Sequence, residues 1–220
     1  MNKINEYSFH TKDDMLNKLR AYTHNPDDDN IRIKNQVYQI LLHCPELLYA
    51  IHDAELESEL FDDDGNLNVD ADGEPLGEWD RYFGENAHIR PYIFFPETET
   101  DSRNYVCYQT SFSDLARYNN SVKTLLLTFT IFIHEKDVID DLTGLPRHDL
   151  IAAILRDRFA WIGTEVENPI PSLDKESTMD NNYLVRTLQY QIITPNNITK
   201  TENGKSFYSC LLYTSPSPRD

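Results

Sequence analysis

The chain has 220 residues, enough for one large domain with a sizeable core, or for one domain with an appendage. Its 37 acidic and 20 basic residues give a formal net charge of -17. This charge argues against direct binding of nucleic acid, because phosphate contacts require lysine and arginine. We also expect no membrane partner and no signal peptide, since the sequence has neither a long apolar run nor a charged-then-apolar leader.

The C-terminal tail and the cysteines limit which residues belong to the native fold and which kinds of site they can form. Residues 210–220 resemble the in-frame translation of a sequencing adapter, so we expect them to be non-native. Outside that tail the cysteines are Cys44 and Cys107, and neither has the spacing of a zinc site. Cysteines among apolar neighbours are most often buried free thiols, which is consistent with a reducing cytoplasm.

The N-terminal segment, residues 1–60, has the periodicity of helices. Apolar residues predict a short helix over 13–22 and a second helix that begins after Asp29 or Asn30 as its cap. Pro45 breaks or restarts this helix, and a helical rhythm then continues to the end of the segment. We therefore predict a helical hairpin or a kinked helix.

An acidic loop follows over residues 61–80, which are too polar and too rich in turn residues to bury a face. We predict an exposed loop or a small hairpin. The calcium candidates in it are Asp62, Asp64, Asn66, Asp70 and Asp72. Neither acidic run completes an EF-hand loop, because Leu67 stands in the place of the required glycine and Gly73 in the place of the glutamate. A solvated loop without calcium explains the same residues.

The rest of the chain, residues 81–209, predicts an α+β core that forms one domain with the N-terminal segment. The predicted strands cover residues 92–95, 105–109, 122–134 and 183–194, and a helix covers 147–159. The third strand is rich in β-branched and aromatic residues and should be central. Short turns favour a mostly antiparallel sheet of about four strands backed by helices, with no internal repeat.

The sequence shows no catalytic constellation, so we predict no catalytic residue, no cofactor and no enzyme activity. Nucleotide-binding loops and hydrolase nucleophile motifs are absent from it. One alternative is a metal-dependent hydrolase that uses His134, His148 and Asp149, because histidine and aspartate together bind divalent ions. Yet His134 ends a predicted strand, and the helix dipole already explains an aspartate in the first turn of the predicted helix.

Aromatic residues are concentrated between residues 79 and 108. Core packing explains such a concentration, because rings dominate core energetics. Tyrosine and tryptophan beside arginine would also suit a subunit interface. Tyr82 and Tyr92 are the aromatic candidates for such an interface.

Residues 120–197 resemble the neck proteins of tailed bacteriophages, which join head and tail or terminate the tail tube. The features that carry the resemblance are a long apolar strand that ends at His134, an amphipathic helix that runs through Phe159, and a final strand after a polar turn. It implies a structural virion protein that forms a homo-oligomeric ring, is assembled in the host cytoplasm and binds other phage head or tail proteins.

In a ring of this kind, Arg147 and Arg186 would pair with the acidic surface of a neighbouring copy, and an acidic lumen would let DNA pass without binding it. Ordinary surface charges explain the same two arginines. A different functional class is also open: an adaptor or inhibitor protein that binds a basic protein partner through the acidic loop.

Overall fold

The computed structural model describes residues 11–21, 29–94, 102–112, 122–159, 169–179 and 182–195. Within these ranges the helices are α1 (Lys12–Ala21), α2 (Asp29–Leu42), α3 (Pro45–Ile51), α4 (Glu57–Leu60) and α5 (Arg147–Phe159). The strands are β1 (Ile89–Arg90), β2 (Tyr105–Phe112), β3 (Val122–His134), β4 (Ile170–Met179) and β5 (Tyr183–Pro195). They form one sheet in the order β1-β2-β3-β5-β4, in which the β1–β2 pair is parallel and the others are antiparallel. The predicted α+β class is confirmed.

The main core lies between the sheet and the helices. Strand β3 is central, as predicted, and pairs along its length with β2 and β5. Its alternate residues Leu125, Leu127 and Phe129 are fully buried on the helix face. Helix α5 presents Leu155 and Phe159 to this core, four residues apart on one side of the helix. Helices α2 and α3 complete the layer.

On the second face of the sheet, Phe94 packs against a small buried cluster, and the strand predicted over 92–95 is not formed at residues 92–94, while residue 95 lies outside the described ranges. Pairing occurs instead at Ile89–Arg90, and residues 92–94 form no strand. Pro91 lacks the N–H that would continue the ladder. The Phe94 ring lies 5.3 Å from the Tyr105 ring, and the Arg90 guanidinium lies 3.7 Å above the Phe94 ring. Aromatic packing therefore replaces strand pairing here.

The N-terminal helices are confirmed. Pro45 is at the start of α3, where its missing N–H is not needed, and His52 ends that helix in the left-handed conformation at φ 62°. Helix α1 exposes its apolar Met15 and Leu19. None of the helices in the described ranges has both the length and the apolar character that crossing a membrane requires.

The acidic loop contains a structural repeat that the sequence prediction missed. The Asp62 backbone N–H donates to the Asn66 carbonyl at 2.9 Å, and eight residues later Asp70 and Glu74 make the same 2.9 Å bond. In each turn the aspartate Oδ1 accepts two further backbone N–H groups, at 2.8–3.0 Å in the first turn and 2.9 Å in the second. The two turns are therefore equivalent hairpins, held by the same side-chain hydrogen bonds.

Candidate functional site

The outer edge of the sheet is formed by β4, which pairs with β5 alone among the described strands. Nine of its ten residues are exposed, including Ile170 at 47% and Leu173 at 44%. Its polar sequence has little intrinsic strand preference. Pairing with β5 holds it, together with bonds such as that of the Ser172 hydroxyl to the Gln189 carbonyl at 3.1 Å. Within the described ranges, β4 is therefore a long strand whose outer hydrogen-bonding edge is open.

The opposite end of the sheet is also partly open. Strand β1 covers β2 only at Val106 and Cys107, so no described strand pairs with the outer edge of β2 between Gln109 and Phe112. Phe112 is 39% exposed at the end of this stretch. As far as the described strands show, two open edges therefore lie at opposite ends of the same sheet.

A charged cluster fixes β4 to the helix layer. The Arg186 guanidinium on β5 donates to both carboxylate oxygens of Asp174 on β4, at 2.9 and 3.0 Å. It also pairs with Asp149 of α5, and Arg156 of α5 pairs with Asp174. Arg186 therefore already has two carboxylate partners within its own subunit. Its predicted pairing with a neighbouring copy is not needed to balance its charge.

His148 lies beside this cluster, in the first turn of α5. It is 5% exposed, and its Nε2 is 3.5 Å from a Glu176 oxygen on β4 and 3.7 Å from an Asp149 oxygen. Burial lowers the pKa of His148, as does Arg186, and these effects outweigh the opposing effect of Glu176. The Nε2 atom lies close to carboxylate groups of both α5 and β4.

Arg147 is buried, at 2% exposure, whereas the sequence analysis expected it at the surface. Its guanidinium donates to the Asp137 carbonyl at 3.1 Å and to the Ala50 carbonyl at 3.0 Å, and lies 3.2 Å from carboxylate oxygens of both Asp137 and Asp140. It therefore joins the end of α3 to the start of α5. A residue held in this way within one subunit is not available to a neighbouring copy.

The two tyrosine candidates differ in location. Tyr82 is 1% exposed and packs in the main core, so its predicted place at an interface is wrong. Burial raises the pKa of its hydroxyl, as do nearby carboxylates, of which Asp53 is the first. Tyr92 is 41% exposed and stays a candidate for an interface.

The calcium candidates lie in two successive turns of the acidic loop, and calcium binding there stays a prediction. Asp62 and Asp70 each direct one oxygen to backbone N–H groups of their own turn. Hydrogen bonds of this kind to the ionised form hold the pKa of Asp62 below its usual value. Within the part of the chain that the structure describes, the group of three metal-ligating side chains close enough to share an ion is His148, Asp149 and Glu176, none of which is in the acidic loop.

The predicted hydrolase triad is only partly assembled. His148 and Asp149 belong to the described group, but His134 does not. His134 Nδ1 instead accepts the Lys136 N–H at 3.2 Å, and its ring packs on Tyr183. Glu176 was missed by the sequence analysis because no strand was predicted around it.

A cavity of about 500 Å³ lies between α2 and the chain around β1. Its wall includes Tyr38 and Phe83, whose rings meet edge to face at 4.7 Å. Lys34 at its rim donates to the Pro91 carbonyl at 2.6 Å. Its volume is within the range of small-molecule pockets, and its lining also includes the charged residue Asp80.

Comparison with known proteins gives one family. The YomW family model matches residues 45–192, about two thirds of the chain. This stretch runs from α3 into β5, so it includes β4 and the charged cluster and leaves out α1 and α2. No curated protein matches the sequence. YomW is the name of a protein from the SPbeta phage region of Bacillus, and the predicted relation to neck proteins stays a prediction. The chain belongs to the YomW family, which indicates a phage-associated protein.

Proposed function

We propose that this chain is a structural virion protein of a tailed phage, which assembles head to tail into a ring at the head–tail junction or at the tail end. The observation that carries the proposal is the open edge of β4, ten residues long and exposed on both faces. A free strand edge of this length pairs readily with another chain, because its main-chain donors and acceptors are already aligned. The phage-associated family supplies the setting.

The two open edges of the sheet are compatible with each other. Strand β4 is antiparallel to β5, β5 to β3, and β3 to β2, so β4 runs opposite to β2. If β4 of one subunit pairs with residues 109–112 of β2 in the next, the contact is antiparallel and extends the sheet from subunit to subunit. Contacts between two different surfaces of one chain produce closed rings when the rotation closes.

Charge also favours contact at β4. The chain as a whole is strongly acidic, and like charges oppose self-association. On β4, however, Arg186 and Arg156 both pair with Asp174, so part of the negative charge of the strand is already neutralised. Tyr92 is an exposed residue that could add to contacts with other head or tail proteins. The acidic surface outside these contacts would line the lumen of the ring, which would let DNA pass without binding it.

The proposal is tested with a matched pair of substitutions, Ser177→Pro and Thr178→Pro. Along a strand, successive N–H groups point to opposite edges, so one proline removes a bond to β5 and the other removes only an outward donor. The variant with the native circular dichroism spectrum and the native melting temperature is the outward one. We expect that variant to stay monomeric when the wild-type chain assembles, as measured by light scattering. Normal assembly of the outward variant would refute the role of β4.

A second candidate function rests on the ordered acidic hairpins, which present exposed carboxylates on a fixed backbone, next to Leu76 at 65% exposure. This surface fits an adaptor or inhibitor that binds a basic protein partner. Replacing Asp63, Asp64 and Asp72 with asparagine removes charge but keeps Asp62 and Asp70, whose side chains hold the turns. Loss of a phage or host partner from pull-downs with this variant, but not with the outward proline variant, would favour the second candidate.

A further inference from the structure

The group formed by His148, Asp149 and Glu176 brings one imidazole nitrogen close to two carboxylates from different elements. His148 Nε2 faces carboxylate oxygens at 3.5 and 3.7 Å, beyond the usual 2.7–3.2 Å range of an N–H···O bond. Its Nδ1 is buried and has no hydrogen-bond partner among the described residues. A histidine that is 5% exposed is thus held against two carboxylates without a hydrogen bond of ordinary length.

These distances match the separation of two ligands around one metal ion. For tetrahedral coordination with bonds of about 2.0–2.2 Å, neighbouring ligand atoms lie about 3.3–3.6 Å apart. The ligand atoms of all three residues lie within 4.8 Å of one another. Asp149 and Glu176 have side chains that are 45% and 57% exposed, so small rotations suffice to bring their oxygens closer.

Arg186 is the competing cation, because it also pairs with Asp149. It has a second partner, however: Asp174 binds it through both carboxylate oxygens, at 2.9 and 3.0 Å. Asp149 can therefore turn to an ion without leaving the guanidinium unpaired. Glu176 makes no bond to arginine among the described contacts, so its charge is available to an ion.

We propose that His148, Asp149 and Glu176 form a binding site for a first-row divalent transition metal ion such as Zn²⁺ or Mn²⁺. One imidazole nitrogen and two carboxylate oxygens suit these ions better than Ca²⁺, which prefers six to eight oxygen ligands. Three protein ligands leave a coordination position for water. The bound ion would join the first turn of α5 to the edge strand β4. This site does not depend on the proposed ring assembly.

The test is equilibrium dialysis of the full chain against Zn²⁺ and, separately, Mn²⁺, with the bound metal measured by mass spectrometry. We expect the wild-type chain to bind one more equivalent of at least one of these ions than Glu176→Gln. The Glu176 side chain is 57% exposed, so this substitution leaves the fold intact. His148→Ala should lose the same equivalent. His134→Ala, a histidine outside the group, should keep it. The Arg186→Met variant, which lacks the cation that competes for Asp149, should bind the metal ion more tightly than the wild-type chain.

Thermal melting gives an independent readout on the same proteins. The ion that binds should raise the melting temperature of the wild-type chain and of His134→Ala, but not that of Glu176→Gln, since only binding to the folded state stabilises it. Equal metal content and equal thermal shifts in the wild-type chain and Glu176→Gln would overturn the proposal. So would the absence of bound metal in the wild-type chain with both ions.

Discussion

Replacing Arg147 with methionine should destabilise the fold, whereas the same replacement of Arg186 should have little effect. Arg147 is buried, and its loss leaves the Ala50 carbonyl and two carboxylates without their shared donor. Arg186 is also paired with two carboxylates, but those of Asp149 and Asp174 are 45% and 37% exposed. The two substitutions are chemically identical, so burial is the main difference between them.

The expected magnitudes follow from this difference. Removing one partner of a buried ion pair costs about 3–5 kcal/mol. Asp137 keeps a 2.9 Å contact with His52, and Asp140 keeps its 2.6 Å bond from Thr143, so we expect the lower value, about 3 kcal/mol, for Arg147→Met. The carboxylates left by Arg186→Met can be hydrated, so about 1 kcal/mol or less is expected. At this chain length the first variant should melt about 6–12 °C lower than the wild-type chain.

Urea unfolding of the two variants, followed by circular dichroism and by tryptophan fluorescence, to which the buried Trp79 contributes, measures the difference. We expect Arg147→Met to be at least about 2 kcal/mol less stable than Arg186→Met. Equal stabilities would show that the buried contacts of Arg147 stabilise the fold no more than the exposed ion pairs of Arg186. The resemblance to neck proteins led to the opposite expectation, that Arg147 affects assembly rather than folding.

Three further outcomes are expected. Lys123→Met, which leaves Asp29 buried without its 2.6 Å partner, should destabilise the chain by about 3 kcal/mol at pH 7. Burial acts to raise the pKa of Asp29 in the folded wild-type chain, but Lys123 and Arg32 outweigh burial, so this pKa is lowered. The stabilisation that ionised Asp29 contributes is therefore lost as the pH falls through the folded pKa. In urea unfolding, the difference in midpoint between the wild-type chain and Lys123→Met should shrink below about pH 4. Gly77→Ala should cost about 3 kcal/mol in the same assay, because its Cβ would lie 2.2 Å from a backbone oxygen of α4. Cys44 and Cys107 should react with a thiol reagent at pH 8 only as the protein unfolds, because burial raises their pKa values to about 12 and about 11. Peptide mass spectrometry of the modified protein measures the extent of reaction at each cysteine.

The sequence was most informative where local pattern and tertiary burial agree. Strand β3 and helix α5 have the bounds predicted for them, Val122–His134 and Arg147–Phe159. Each has a long apolar pattern of the right period, and each lies in the core, so propensity and packing favour the same structure. The start of α2 was predicted to within one or two residues for a similar reason: Asp29 or Asn30 was expected as the cap before the helical spacing, and the helix begins at Asp29 itself.

The parts that could not be predicted depend on partners distant in sequence. Strand β4 has no apolar alternation because both of its faces are exposed, and pairing with β5 makes it a strand. Glu176 could not be placed for that reason. The charge of Arg147 gave no information on its burial, since its Ala50 partner lies 97 residues away along the chain. Tyr92 belongs to a run with strand composition, but Pro91 ends the ladder before it.

The central claim is that subunits assemble through the open edge of β4, and the molar mass of the full chain in solution tests it most directly. Light scattering over a range of concentrations, with negative-stain images of the same samples, should show a multiple of the 25.7 kDa subunit mass and closed rings. A mass of 25.7 kDa at every concentration, with no rings in the images, would contradict the claim.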